Sequence, residues 1–516
     1  MTIIRPKRSP QADLPGRYLA TGLAAFVLFS LGVPLLAPEL VSTNDDPRVF
    51  ALTHLAVLGW ITMTMFGALY QLFPVALGGT VRAPRLGLWN YWVLAAGIAG
   101  FVPCFYLDWT PGVAIFGSLT VGGVLHFAFQ LLRSYPTVQD WHPMAFYVLS
   151  GLVWLVATIG FGFVYALNWQ FRWFDVSNSM LAAHVQLGLA GWLGLTLMGV
   201  SYKLTELFAL AHGHGRTLTF ANLGLWNLGL LGLCLSLFFA PGSVLVVAFA
   251  AVLALSALLH VVDLGLLLRT RRRRKFSVEQ WHTFASLGSL LVAAGLGLAL
   301  ASGLAPGRSW VVAYGYAALA GWFGFAIVGK SYKILPFLSW LHRFSGLAGR
   351  RPVPLLRELV DERFAWSSFA LLLTGFAGVL VGLLAANVGL VRGAGLIYAN
   401  RGGGVRVQRL PAGASPGAEA GPAPRRPRGD GMTAPRLRIP DDLILAEAWQ
   451  QLENVYDPEL GINLVDLGLV YRLKVEEGKV WVEMTLTTPG CPMGDSMREA
   501  AERALLMIPG VFPGHS

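Results

Sequence analysis

GWITMTMFGALYQLFP, residues 59–74, carries a pattern that occurs two more times along the chain. Each copy has a Gly-Trp pair, a glycine seven residues after the tryptophan and a tyrosine ten residues after it. The copies contain Trp60, Gly67 and Tyr70; Trp192, Gly199 and Tyr202; and Trp322, Gly329 and Tyr332. Successive tryptophans are 132 and then 130 residues apart. Such even spacing indicates an internal repeat, so we predict a threefold repeat.

The composition indicates a membrane protein with many spans. Of 516 residues, 55% are hydrophobic and only 13% are charged, and the mean hydropathy is +0.58. Apolar runs of about 20 residues, the length of a membrane-crossing helix, recur between Tyr18 and Val388. We predict eleven spans, at residues 18–37, 50–75, 88–107, 112–132, 143–167, 179–209, 218–239, 242–268, 283–303, 310–337 and 366–388. The predicted fold is an all-α polytopic membrane bundle.

Basic residues predict the orientation of the spans. The net charge is +11, and most basic residues lie at span ends and in one linker. The loop Arg271–Lys275 follows the eighth span, and the positive-inside rule places it in the cytoplasm. The N-terminus is then also cytoplasmic. We predict a multi-pass protein of the cell membrane, with the lipid bilayer rather than nucleic acid as the partner of this charge.

The repeat predicts a four-helix unit that is used three times. The Gly-Trp pairs fall in spans 2, 6 and 10, which are four spans apart. Three such units require twelve spans, but residues 389–400 contain only a short mixed run. We therefore assign residues 1–400 to a membrane domain in which eleven of twelve expected spans are recognised.

The composition changes after the membrane domain. Residues 401–438 are rich in Gly, Pro, Ala and Arg and predict a disordered linker. Residues 439–516 predict a small soluble α/β (α+β) domain, with a helix at 441–455, a hairpin of strands 469–475 and 479–487, and a second helix near Asp495.

Four side chains upstream of the tryptophans are candidate ligands in the membrane domain. His54 and His184 lie six and eight residues before their tryptophans, and Tyr316 and Tyr314 occupy the same two positions in span 10. Such side chains are functional candidates because burying them in a membrane is costly. At 100° per residue the two histidine positions are about 160° apart, which predicts that they face different inter-helix spaces. Alternatively, both are buried histidines held by hydrogen bonds.

Four other histidines predict structural roles. His126 and His260 lie late in spans 4 and 8 and are expected to bond neighbouring helices. His142 and His282 each follow a tryptophan at the start of a span and are expected to anchor the inner membrane interface.

The membrane domain, on these repeats and histidines, resembles subunit I of the haem-copper oxidase and nitric oxide reductase superfamily over residues 18–388. The resemblance implies twelve spans in three units, haem b bound by His54, and copper at the position of His184. It also implies histidines at two positions of span 10 and a histidine pair in span 7. This chain has Tyr314 and Tyr316 at the first two positions and no histidine within residues 218–239. We therefore predict a non-catalytic relative that holds a single haem b, with Tyr316 as the weaker second axial ligand.

Two alternatives remain open for the membrane domain. One is a divergent terminal oxidase or nitric oxide reductase subunit, which takes part in electron transfer with a protein partner. The other is an ion or small-solute transporter that uses Asp263 in span 8 and Glu206 in span 6, because ionisable groups inside a membrane mark transport paths.

The C-terminal domain resembles the PaaD and SufT-like family of iron-sulfur cluster assembly proteins. The resemblance rests on three motifs, Tyr456–Leu460, Asn463–Tyr471 and Thr487–Asp495. It implies metal-maturation partners and a transient iron-sulfur cluster at Cys491, which lies in the third motif. Asp457 and Glu459 are weaker candidate ligands in the first motif. Cys491 precedes a predicted helix, whose N-terminus favours a thiolate.

The length and side of this domain conflict with that resemblance. The family continues with more strand and helix, so the domain is expected to be truncated. Eleven spans place it outside the cell, whereas the family is cytosolic. We therefore expect that a twelfth span was lost and a neighbouring reading frame joined through the linker.

Overall fold

The structure is a computed structural model that describes residues 13–42, 45–211, 215–271, 275–305, 307–350, 353–400, 440–458, 461–476, 479–485 and 494–511. It divides into two compact units. The membrane unit lies within Ser9–Ser331 and Ala365–Gly404, and the C-terminal unit combines Tyr332–Phe364 with the described residues from 440 onward. The predicted linker 401–438 lies outside the described residues.

The predicted all-α bundle is confirmed. Among the described residues, eleven helices are long and apolar enough to cross a membrane, and we keep the names span 1 to span 11 for them. They are Asp13–Leu35, Pro47–Leu77, Pro84–Tyr106, Thr110–Thr137, Pro143–Phe171, Asn178–Ala209, Thr217–Phe239, Val244–Arg269, Val278–Ala301, Ser309–Arg343 and Glu362–Leu384. This arrangement is compatible with a multi-pass membrane protein.

Each Gly-Trp pair lies in a π-helical segment of its span. These segments are Leu55–Thr62, Leu187–Gly194 and Ala317–Phe323, and regular α-helix precedes and follows each of them. Hydrogen bonds from residue i to i+5 widen the turn, so each residue rotates by less than the 100° of an α-helix. Angles between residues on either side of a segment therefore differ from those that an ideal α-helix predicts.

The repeated glycines are contact points between consecutive spans. A Cβ added to Gly191 would lie 2.7 Å from Cβ of Trp154, and one added to Gly199 would lie 2.5 Å from Cβ of Tyr147. The first and third repeats have the same arrangement, with Gly59 against Ala25, Gly67 against Tyr18, Gly321 against Ser289 and Gly329 against His282. The prediction that these glycines permit close helix approach is confirmed.

Replacing Gly321 with alanine is expected to destabilise the bundle. The new Cβ would lie 2.6 Å from Cβ of Ser289 and 2.7 Å from the ring of Phe376. Overpacking of this kind lowers the free energy of unfolding by about 1–3 kcal/mol, which denaturant unfolding of the detergent-solubilised protein measures. Gly295→Ala is the control, since no atom lies within 4 Å of its Cβ position. Equal losses in both variants would contradict this packing role.

A short helix follows span 11 and runs back along it. This returning helix, Val388–Ala399, packs Val391 against Gly382, Ala394 against Gly378 and Tyr398 against Gly375. The prediction that residues 389–400 contain no full span is confirmed, and the short run there forms this helix. Its 12 residues rise only about 18 Å, against about 30 Å of hydrocarbon, so hydropathy over a full-length window misses it.

The C-terminal unit contains the predicted helices and hairpin. Helix α1, Asp441–Glu453, is followed by strands β1, Val470–Glu476, and β2, Lys479–Met484, and then by helix α2, Gly494–Leu505. The strands are antiparallel, with Leu473 opposite Val482 and Val475 opposite Val480. Their partly buried side chains pack on a core formed by the two helices.

Candidate functional site

The four candidate ligands of the membrane unit line one cavity. This cavity has a volume of about 1030 Å³, and His54, His184, Tyr314 and Tyr316 are among its lining residues. Within this cavity the two rings contact different spans, since His54 stacks on Phe105 of span 3 and His184 lies against Tyr165 of span 5.

His54 is held in one orientation at the cavity wall. Its Nδ1 lies 2.8 Å from the carbonyl oxygen of Phe50, and its ring stacks on Phe105 with centroids 4.9 Å apart. The carbonyl only accepts, so Nδ1 carries the proton and Nε2 keeps its lone pair. A histidine that ligates a metal through one nitrogen commonly donates its other N–H in this way. Its donor set fits one axial ligand of a haem.

The helix that carries His54 is capped by Asp46. The carboxylate Oδ1 accepts a hydrogen bond of 2.7 Å from the backbone N–H of Arg48 and one of 3.1 Å from its Nε. The hydrogen bond from the Arg48 guanidinium lowers the pKa of Asp46. Because the folded pKa lies below the unfolded value, the cap stabilises the helix at neutral pH and is lost as the pH falls through the folded pKa.

His184 and Tyr314 belong to neighbouring walls of the same cavity. Nδ1 of His184 is buried and has no hydrogen-bond partner among the described residues. Two residues further along span 6, the Nε2 of Gln186 donates to the Tyr314 hydroxyl at 2.9 Å. Tyr314 is therefore engaged in a link between spans 6 and 10, which leaves it poorly placed to ligate a metal.

The position of Tyr316 also favours packing over ligation. Its ring is buried and stacks on Phe376 of span 11, with centroids 5.5 Å apart and planes at 16°. Within the described ranges, no group of three or more His, Cys, Asp and Glu side chains is arranged to hold a metal ion. The residues at the position of His184 thus do not fit a copper site, which needs about three ligands.

The ionisable residues proposed for transport have partners on neighbouring spans. Glu206 Oε2 lies 3.0 Å from His142 Nε2, and Asp263 Oδ2 accepts a hydrogen bond of 2.8 Å from Thr219. His142 and His282 are both buried, so their imidazoles face neighbouring spans, and their role as interface anchors stays a prediction. His282, at the start of span 9, packs against Gly329 of span 10.

Sequence reasoning missed one buried ion pair. Lys330 of span 10 donates to Glu279 of span 9 and also to Thr283, at 3.3 Å. The Glu279 side chain is 2% exposed and that of Lys330 is 11% exposed. The signal was present in the sequence, since Lys330 directly follows the repeat glycine Gly329, and that glycine faces the start of span 9.

In the C-terminal domain, Asp457 is buried within a hydrogen-bonded turn. Its N–H donates to the carbonyl of Ile462 at 2.9 Å, and its own carbonyl accepts from the N–H of Gly461 at 2.8 Å. Asn463 and Asp466 of the second motif bond each other, with Nδ2 to Oδ2 at 2.7 Å. These motif residues shape the chain between α1 and β1. Cys491 and Glu459 lie outside the described residues.

Comparisons with known proteins agree with the predicted C-terminal domain. The model of the family described as iron-sulfur cluster assembly protein matches residues 445–512. The Fe-S protein maturation auxiliary factor SufT of Staphylococcus aureus is 50% identical over 58 residues, 11% of this chain and 66% of that protein. The chain thus spans slightly less than two thirds of its length.

Two further relatives cover the same type of domain. The Fe-S protein maturation auxiliary factor of Porphyromonas gingivalis is 43% identical over 76 residues, 14% of this chain and 68% of that protein. The iron-sulfur cluster carrier protein of Deinococcus radiodurans is 40% identical over 60 residues, 12% of this chain and 17% of that protein. The chain therefore belongs, through its C-terminal domain, to the iron-sulfur cluster assembly protein family.

Proposed function

We propose that this chain is a membrane-bound protein that accepts and hands on iron-sulfur clusters through its C-terminal domain. The observation that carries this proposal is that residues 445–512 match the assembly family. The matched residues include Cys491. The relatives are named as maturation factors and cluster carriers. A thiolate three residues before the first residue of α2 provides the softest metal ligand in this domain.

The cysteine content favours a cluster that is cargo rather than a resident cofactor. Iron-sulfur clusters are commonly held by four thiolates. The C-terminal domain contains one cysteine, and the other two, Cys104 and Cys234, are buried in spans 3 and 7. A cluster bound at Cys491 therefore needs further ligands from a second chain or from the protein that receives it. Shared ligation of this kind suits transfer.

Cluster transfer tests the proposal directly. The purified full-length protein is loaded anaerobically with ferrous iron and sulfide, and then mixed with an apo iron-sulfur protein. We expect the acceptor to gain the visible absorption of its cluster faster than it does from iron and sulfide alone. A chain that ends at residue 400 is the control and should give no acceleration. Equal rates with and without the full-length protein would overturn the proposal.

A second proposal concerns the membrane unit, where we propose that His54 holds a single haem b. The specific support is the His54 ring, whose Nδ1 is bonded to Phe50 and which is among the residues that line a cavity of about 1030 Å³. Cofactor sites typically have volumes of 300–1,000 Å³, which is the same range. A bound haem supplies one-electron chemistry. The chain itself supplies one imidazole ligand and a largely apolar cavity wall.

The absorption spectrum of the purified membrane protein tests the haem proposal. We expect a Soret band in the wild-type protein. We expect its loss in His54→Ala, because this variant lacks the proposed axial imidazole. His126→Ala is the matched control, since His126 also lies in a span but does not line the cavity. Absence of the band from the wild-type protein, or its survival in His54→Ala, would rule the site out.

A further inference from the structure

The segment Tyr332–Phe364, which comprises the end of span 10, the following loop and the start of span 11, contributes side chains to the core of the C-terminal unit. Trp340, Phe344 and Leu359 are buried in the same cluster as residues of the α1 and α2 helices. These helix residues are Ile444, Ala448, Leu452, Met497, Ala500 and Ala504. Large aromatic side chains bury the most apolar area, so Trp340 and Phe344 form a major part of this core.

Polar contacts connect the same segment to both ends of the C-terminal domain. Nε of Arg503 on α2 donates to the carbonyl of Ala348 at 3.1 Å, and its Nη2 donates to the carbonyl of Ser345. The N–H of Leu356 donates to the carbonyl of Pro458, in the first family motif, at 2.8 Å. Hydrogen bonds from a charged donor are among the stronger ones in proteins.

Backbone packing makes the contact specific. Gly349 has φ of +80°, which favours glycine, and a Cβ at this position would collide with the backbone of Ala500 on α2. Trp340 Nε1 donates to the carbonyl of Pro354 at 2.8 Å and so folds the segment back on itself. The segment therefore has a defined shape that matches one face of α2.

We infer that the segment Tyr332–Phe364 is a structural part of the C-terminal domain and holds it on the cytoplasmic side. The segment joins the ends of spans 10 and 11 and carries Arg343 and Arg350, and the positive-inside rule places such loops in the cytoplasm. The returning helix Val388–Ala399 turns the chain back along span 11 towards that side, over about 18 Å. This inference is independent of cluster transfer.

Cleavage of the full chain in membrane vesicles tests the inference. A protease site is placed within residues 401–438, a tag is added after Ser516, and the vesicles are sedimented after cleavage. We expect cleavage in inverted vesicles, whose cytoplasmic face is outside, and retention of the tagged fragment on the membrane. Cleavage only in right-side-out vesicles, or release of the wild-type fragment, would overturn the inference. Cluster chemistry plays no part in either result.

Two variants and one control make the test specific to the contact. Arg503→Ala removes both bonds to the segment and should raise the released fraction at least about tenfold. Gly349→Leu should act in the same direction through its collision with α2. Arg498→Ala removes an exposed arginine from the same helix and should leave retention unchanged. Equal retention in all three variants would show that the segment does not hold the domain.

Discussion

Replacing Cys491 with serine is expected to lower iron-sulfur cluster binding by the purified full-length protein at least about 100-fold. Even residues that only support a metal ligand contribute about 10–100-fold to affinity, so loss of the ligand itself should cost no less. A serine hydroxyl is a harder donor and stays protonated at neutral pH, so it does not replace a thiolate on iron. Iron and sulfide content after anaerobic reconstitution, together with visible absorption, measure the effect.

The matched control for this prediction is Cys234→Ser. Cys234 is buried in span 7, and its thiol lies 3.8 Å from the carbonyl of Ala183. It has the same chemistry as Cys491 but belongs to the membrane unit, so its replacement should leave cluster binding unchanged. If Cys491→Ser retains full binding, Cys491 is not the cargo ligand. If both variants lose cluster binding equally, the loss reflects a disturbed fold and not a missing ligand.

Replacing Lys330 with methionine is expected to destabilise the membrane unit by about 3–5 kcal/mol. This is the usual cost of removing one partner of a buried ion pair, because the remaining charge stays buried without compensation. Glu279 would be that charge, at 2% exposure. Denaturant unfolding of the detergent-solubilised protein measures the change in free energy.

A second substitution separates charge from packing at this site. Lys330→Met with Glu279→Gln removes both charges, and should recover most of the lost stability. Lys203→Met is a useful comparison, because its partner Asp140 is 50% exposed and such pairs contribute only about 0–1 kcal/mol. If the single and double variants are equally unstable, the loss comes from missing packing contacts of the lysine stem.

Hydrophobic periodicity was sufficient to predict most of the fold. Eleven long apolar helices, the hairpin and its flanking helices follow from composition and alternation. The returning helix did not, because 12 residues fall below the length of a full span. The inclusion of Trp340 in the C-terminal core also escaped prediction, since a tryptophan near a span end equally suits a membrane interface.

The candidate site was predictable in its members but not in its geometry. His54, His184, Tyr314 and Tyr316 were selected from their spacing to the tryptophans, and all four line the cavity. Their directions were not predictable, because hydropathy does not distinguish π-helical from α-helical turns. Gln186, the partner of Tyr314, and Glu279, the partner of Lys330, lie 128 and 51 positions away in the sequence, so only the fold brings these pairs together.

The three π-helical segments divide spans 2, 6 and 10 each into two halves, and the wider turn changes the direction in which one half faces relative to the other. In span 2, the half with His54 faces the cavity, while the half with Gly67 packs against span 1. Because a π-helical turn separates the two halves, sequence changes that alter which way one half faces can leave the packing of the other half in place. The same scaffold can therefore gain or lose ligands at its cavity while the glycine contacts that hold the bundle stay unchanged.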